Sequence, residues 1–71
     1  MNDLTPTQIA ILQMAANDLR DKQIAGALEI TFDGVRHHWR AIYRKLDCTT
    51  RTGAVARGYH FWRIAQPPKK A

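Results

Sequence analysis

Apolar residues along this chain recur at helical spacing and nowhere alternate as a half-buried strand would. The clearest case is TFDGVRHHWRAIYRKL, residues 31–46, where Val35, Trp39, Ile42 and Leu46 follow steps of four, three and four and form one buried stripe. Away from that stripe lie Arg36, His37, Arg40, Tyr43 and Arg44. An earlier helix is signposted by LTPTQIAIL: Thr5 as N-cap, Pro6 as the first helical residue, Gln8 as capping-box partner, and Leu4 with Ile9 as a hydrophobic staple. It should run from Pro6 to about Ala16 and bury Ile11, Leu12 and Ala15. Asp21 is the expected cap of a second helix, KQIAGALEI, with Ile24, Ala25 and Leu28 inward. Gly26 costs that short helix roughly 1 kcal/mol relative to alanine, which predicts close approach by a neighbouring backbone. Thr31 caps the third helix, DCTTR breaks it, and a fourth begins near Arg51 with a stripe of Ala54, Val55, Tyr59 and Trp62. QPPKKA is too proline-rich to be helical.

The pattern predicts an all-α protein, a four-helix bundle with connections of a few residues. Its second and third helices are joined through Glu29-Ile30-Thr31, and the later one is basic. That is the layout of a helix-turn-helix, whose second helix enters the major groove. The expected organisation is a lead-in at 1–3, one domain at 4–65 and a disordered basic tail at 66–71.

Charge sharpens this picture. Residues 1–30 hold two basic side chains against four acidic ones, whereas residues 31–71 hold nine against two, for a net +5. A basic half on a near-neutral base is the footprint of a polyanion binder, although a solvated surface would show the same charge. With Cys48 the only cysteine, no disulfide can form within the chain. His37, His38, His60 and Cys48 do not fall at zinc-site spacing, so neither metal nor cofactor is expected. The chain has no serine, no converging carboxylates and no glycine-rich phosphate loop, which argues against an enzyme. Without a long apolar run or a charged-then-apolar leader, the expected location is cytoplasmic, away from membranes.

Several segments together resemble the LuxR/FixJ-type (GerE-type) DNA-binding domain of bacterial regulators. The family's opening Leu-Thr is Leu4-Thr5-Pro6, its Lys-Glu-Ile-Ala segment is KQIAGAL, and its Ile-Ser turn is Ile30-Thr31. Its Thr-Val-Lys-x-His run is matched by GVRHH, and its Lys-Leu and Arg-x-x-Ala-Val by Lys45-Leu46 and RTGAV. These pieces follow one another in register over roughly residues 4–60. The chain departs from the pattern at Gln8 and Gln23, where glutamate is usual, at Arg20, where a small capping residue is common, and at Asp33. Gly34 stands where the family has a threonine that helps hold a DNA phosphate.

The resemblance implies a transcriptional regulator that binds double-stranded DNA with Arg36, His37 and Arg40 on bases. The residues agree: Arg36 and Arg40 are one turn apart, arginine forks suit guanine O6 and N7, and His37 can donate or accept according to pH. His38 aligns with the family histidine at the helix margin, where it could reach phosphate or be packed. Lys22 and Thr31, near helix starts that favour anions, are expected on phosphates. Arg44, Lys45 and Arg51 add backbone charge, unless the Lys45 stem merely covers apolar surface. The last helix implies homodimer contact through Val55, Tyr59 and Trp62, though these side chains could instead seal the core. Trp39 and Cys48 are expected as core. Met1 lies three residues ahead of Leu4, so the expectation is either an excised domain or, in preference, a complete small regulator governed by its own abundance or by a partner. Rival functions are a module that presents Tyr59, Phe61 and Trp62 to another regulator, a sigma region-4-like unit that acts with RNA polymerase, and an RNA binder. The register of KLxCxxRxxAV argues against the sigma unit, and the lack of stacking aromatics on the basic face argues against RNA.

Overall fold

The computed structural model describes residues 4–63. It contains α1 (Pro6–Ala16), α2 (Asp21–Leu28), α3 (Phe32–Leu46), α4 (Arg51–Arg57) and α5 (Tyr59–Trp62), with no strand among the described residues. The all-α expectation holds. The tail expected at 66–71, the lead-in at 1–3 and the last two residues of the expected domain lie outside the described residues.

The start of α1 follows its sequence signals atom for atom. The Thr5 hydroxyl accepts from the Gln8 N–H at 3.2 Å, and Gln8 Oε1 accepts from the Thr5 N–H at 3.1 Å, which closes a capping box with Pro6 at the first position. Leu4 and Ile11 are buried, Leu12 is wholly buried, and Ile9 and Ala15 pack against the core from its edge. α1 touches each of the other four helices, so it is the post around which the domain is assembled.

Two expectations for α2 are corrected. Asp21 is the first residue of the helix rather than its cap, a position taken by Arg20, whose side chain makes no capping bond. Instead, Gln23 Oε1 accepts from the Arg20 N–H at 2.8 Å, and the Asp21 carboxylate is left to face other helices. Gly26 is exposed, and a Cβ built on it would meet nothing within 4 Å, so no backbone approaches it. Nothing in the structure explains the glycine. Ile24 and Ala25 are buried as expected, with Leu28 at the edge.

The turn between α2 and α3 is made by conformation as well as by capping. Glu29 ends α2 in the left-handed region (φ 57°, ψ 42°), which reverses the chain within three residues. Thr31 then caps α3, its hydroxyl accepting from the Gly34 N–H at 2.9 Å. Val35 and Ile42 are wholly buried and Trp39 nearly so, which seats the predicted stripe. Tyr43, expected on the outer face, is half-buried beside Trp39, with ring centroids 5.7 Å apart.

The predicted fourth helix is two helices bent at Gly58, whose backbone (φ −89°, ψ 5°) leaves the helical region. A Cβ there would lie 2.7 Å from Leu12 Cδ1 and 3.1 Å from the Ala54 carbonyl oxygen. The close approach expected at Gly26 therefore occurs at Gly58, where α4 meets α1. The bend puts Ala54 in the core, Val55 and Trp62 at its edge, and Tyr59 in solvent. The Trp62 indole N–H donates back across the bend to the Val55 carbonyl at 2.8 Å, and the Trp62 carbonyl accepts from Gln13 Nε2 of α1 at 3.2 Å.

Candidate nucleic-acid interface

The burial of Val35, Trp39 and Ile42 decides which way α3 faces. With that stripe turned inward, Arg36, His37, Arg40 and Arg44 are all exposed, and His38 is half-buried at the margin. Arg36, Arg40 and Arg44 succeed one another at intervals of one turn, about 6 Å of rise each. This spacing carries three guanidinium groups along one side of the helix. Trp39, only 4% exposed, is part of the core and offers no platform to a base.

The anion-favouring ends of α2 and α3 flank this face. Lys22, in the first turn of α2, is exposed, and so is Thr31 at the start of α3. The Thr31 hydroxyl uses one of its two lone pairs on the Gly34 N–H and retains a proton to donate to an acceptor such as phosphate. At Gly34 a Cβ would come within 3.1 Å of that hydroxyl, so the glycine leaves room around the cap.

Arg51 is engaged inside the protein. Its guanidinium pairs with the Asp21 carboxylate and lies over the Trp39 ring, 4.8 Å from the centroid. The same carboxylate accepts from the Trp39 indole N–H at 3.0 Å. Asp21 therefore ties the first turn of α2 to the middle of α3 and the start of α4. Asp21, Arg36, Trp39, Arg40, Tyr43 and Arg51 together line a shallow open cleft beside the basic face, with three arginines opposed by one acid. Sequence reasoning missed this role because Asp21 sits where a cap is normally found, and its partners lie 18 and 30 residues away.

Lys45 has an internal partner as well. Its Nζ donates to Gln8 Oε1 at 2.9 Å, so the oxygen that completes the α1 capping box also holds α3 against α1. Lys45 as a whole is half-buried.

Among the described residues, two large apolar side chains stand out from the surface, Phe32 at 49% exposure and Tyr59 at 54%. Tyr59 meets the edge of Trp62 with ring centroids 5.0 Å apart, and Arg63 lies 5.9 Å from its centroid. Val55 and Trp62 are committed in part to the monomer, which leaves Tyr59 as the exposed member of the expected contact set. Cys48 packs at the core edge. Burial pushes its thiol pKa up and Asp47 adds to the rise, while Arg57 pulls it back, so the thiol stays protonated at neutral pH.

No group of three or more His, Cys, Asp or Glu side chains suited to a metal occurs among the described residues, and none of their helices is long and apolar enough to cross a membrane. Comparison with known proteins gives one curated relative, the HTH-type transcriptional regulator AlkS of Ectopseudomonas oleovorans, 36% identical over 52 residues. The matched stretch is 73% of this chain and about 6% of the length of AlkS. No solved structure matches the chain. The family described as bacterial regulatory proteins, luxR family, matches residues 2–66, which takes in every helix described above. A buried Val35–Trp39–Ile42 stripe on the inner face of the arginine-bearing α3, inside a match of that extent, means that this chain belongs to the luxR family of bacterial regulatory proteins, a family of DNA-binding regulatory domains and not of enzymes.

Proposed function

We propose that this chain reads double-stranded DNA sequence-specifically and regulates transcription in the cytoplasm, with α3 in the major groove. Arg36, His37 and Arg40 meet base edges, while Lys22, Thr31, His38 and Arg44 hold the phosphate backbone. Arg51 adds long-range charge and serves the backbone through its position at the cleft. A homodimer formed through Tyr59, supported by Val55 and Trp62, spaces two copies of α3 over two half-sites. The observation that supports this reading best is the joint exposure of Arg36, His37, Arg40 and Arg44 on the face opposite the buried Val35, Trp39 and Ile42.

Selection of duplexes from a random pool, followed by affinity measurements on the winner and a scrambled control at two salt concentrations, tests the proposal. Paired half-sites held well above the scramble are the expected result. Equal, strongly salt-dependent binding to both would reduce α3 to a source of charge.

A second reading has one observation in its favour. Tyr59, exposed and braced edge-on by Trp62, is built as an aromatic anchor for another regulator or for RNA polymerase. In that case Tyr59→Ala would abolish activity and Arg36→Ala would leave it intact. Trp62→Ala is the poorer probe, because it also removes the bond to Val55.

A further inference from the structure

Phe32 is the first residue of α3, and nothing about folding accounts for it. The cap of α3 is Thr31, and the staple positions on either side of the cap are Ile30 and Val35, of which Val35 is wholly buried and Ile30 packs at the core edge. Phe32 is outside the core cluster and half in solvent. The first helical position favours proline or an acid, not a phenyl ring. Phe32 also precedes Arg36 by four residues and Arg40 by eight, so the three side chains leave α3 on one side at successive turns. The next residue, Asp33, is exposed and would repel a phosphate beside Phe32, so the ring itself is better suited to an apolar partner than to the backbone.

Resting on the DNA reading above, we infer that Phe32 is a specificity-determining residue that packs on the 5-methyl group of a thymine in the major groove. In the groove, that methyl is the apolar feature that marks a T·A pair. The four residues from Phe32 to Arg36 advance about 6 Å, close to two base-pair steps, so the thymine lies about two steps from the base met by Arg36. Burying the ring against a methyl removes apolar surface from water on both partners, which neither a phosphate nor a guanine edge would do.

Uracil scanning of the selected duplex tests the inference, because uracil lacks only the methyl. At one thymine in each half-site, uracil should weaken the wild-type chain about fourfold per recognition helix, the value of one buried methyl. Phe32→Ala should bind the parent duplex more weakly by a similar factor and be indifferent to that uracil. Phe32→Leu should keep part of the discrimination, and Arg36→Ala should remain sensitive to the uracil. Helical content and thermal midpoint of Phe32→Ala should match wild type, since the ring lies outside the core. If wild type and Phe32→Ala respond alike at every thymine, or if no thymine is selected in the half-sites, the role of Phe32 is overturned while DNA reading stands. If wild type does not prefer the winner over the scramble, sequence reading itself fails and this inference fails with it.

Discussion

Asp21 shows how much one side chain can carry when its partners come from distant turns. Its carboxylate accepts from the Trp39 indole and pairs with Arg51, joining three helices next to the residues proposed to touch bases. Asp21→Ala leaves the nearly buried indole N–H without its acceptor, so urea unfolding should show a loss of about 1–3 kcal/mol. Asp21→Asn retains an oxygen for the indole and should lose clearly less; an equal loss would mean that the charge, not the hydrogen bond, matters most. On the DNA side, Arg36→Ala or Arg40→Ala should cost about 1–3 kcal/mol and relax preference at one base position. Lys22→Ala should instead weaken all sequences alike and reduce the salt slope by about 1. Identical behaviour in the two kinds of variant would dissolve the division between base and phosphate contacts.

At the scale of elements, the two glycines of interest exchange the roles expected of them. Gly26 sits in open space within α2, so Gly26→Ala should stabilise the domain by up to about 1 kcal/mol through helix propensity alone. Gly58 is pressed against Leu12 and the Ala54 carbonyl, so Gly58→Ala should destabilise by about 1–3 kcal/mol by overpacking the junction of α1 and α4. Thermal melts of both variants would check the pair, and a stabilised Gly58→Ala would show that the junction yields easily. The helix starts at Thr5 and Thr31 were easier to read, because each cap bonds a backbone N–H three residues on and the signal is local. The bend between α4 and α5 was not legible, since Gly58 is pressed against Leu12 and Leu46, which precede it by 46 and 12 positions.

Across the whole molecule, the large exposed apolar side chains of the described residues fall in two places, Phe32 on the arginine-bearing side of α3 and Tyr59 on α5 after the bend. Arg36, Arg40 and Arg44 line α3, with Arg51 in the cleft beside it. If Tyr59 anchors a dimer, Tyr59→Ala should cost roughly 2 kcal/mol, about thirtyfold, in binding to two half-sites, as expected for a buried aromatic anchor. Binding to a single half-site should be unchanged. Sedimentation of the chain with one-site and two-site duplexes would separate these outcomes, and equal loss on both would assign Tyr59 to the fold instead.

The sequence by itself determined where α1, α3 and α4 begin, which face of α3 is buried, and the membership of the basic set, because caps and periodicity act within a few residues along the chain. Arg36, His37, Arg40 and Arg44 needed only the 3.6-residue repeat to be placed together on the outer face. Tertiary structure alone decided that Asp21 is a tie and not a cap, that Lys45 and Arg51 have partners inside the protein, and that Tyr59 faces solvent while Trp62 turns back on Val55. Those outcomes depend on which helices meet and at what angle, and packing selects that angle from side-chain shapes far apart in sequence.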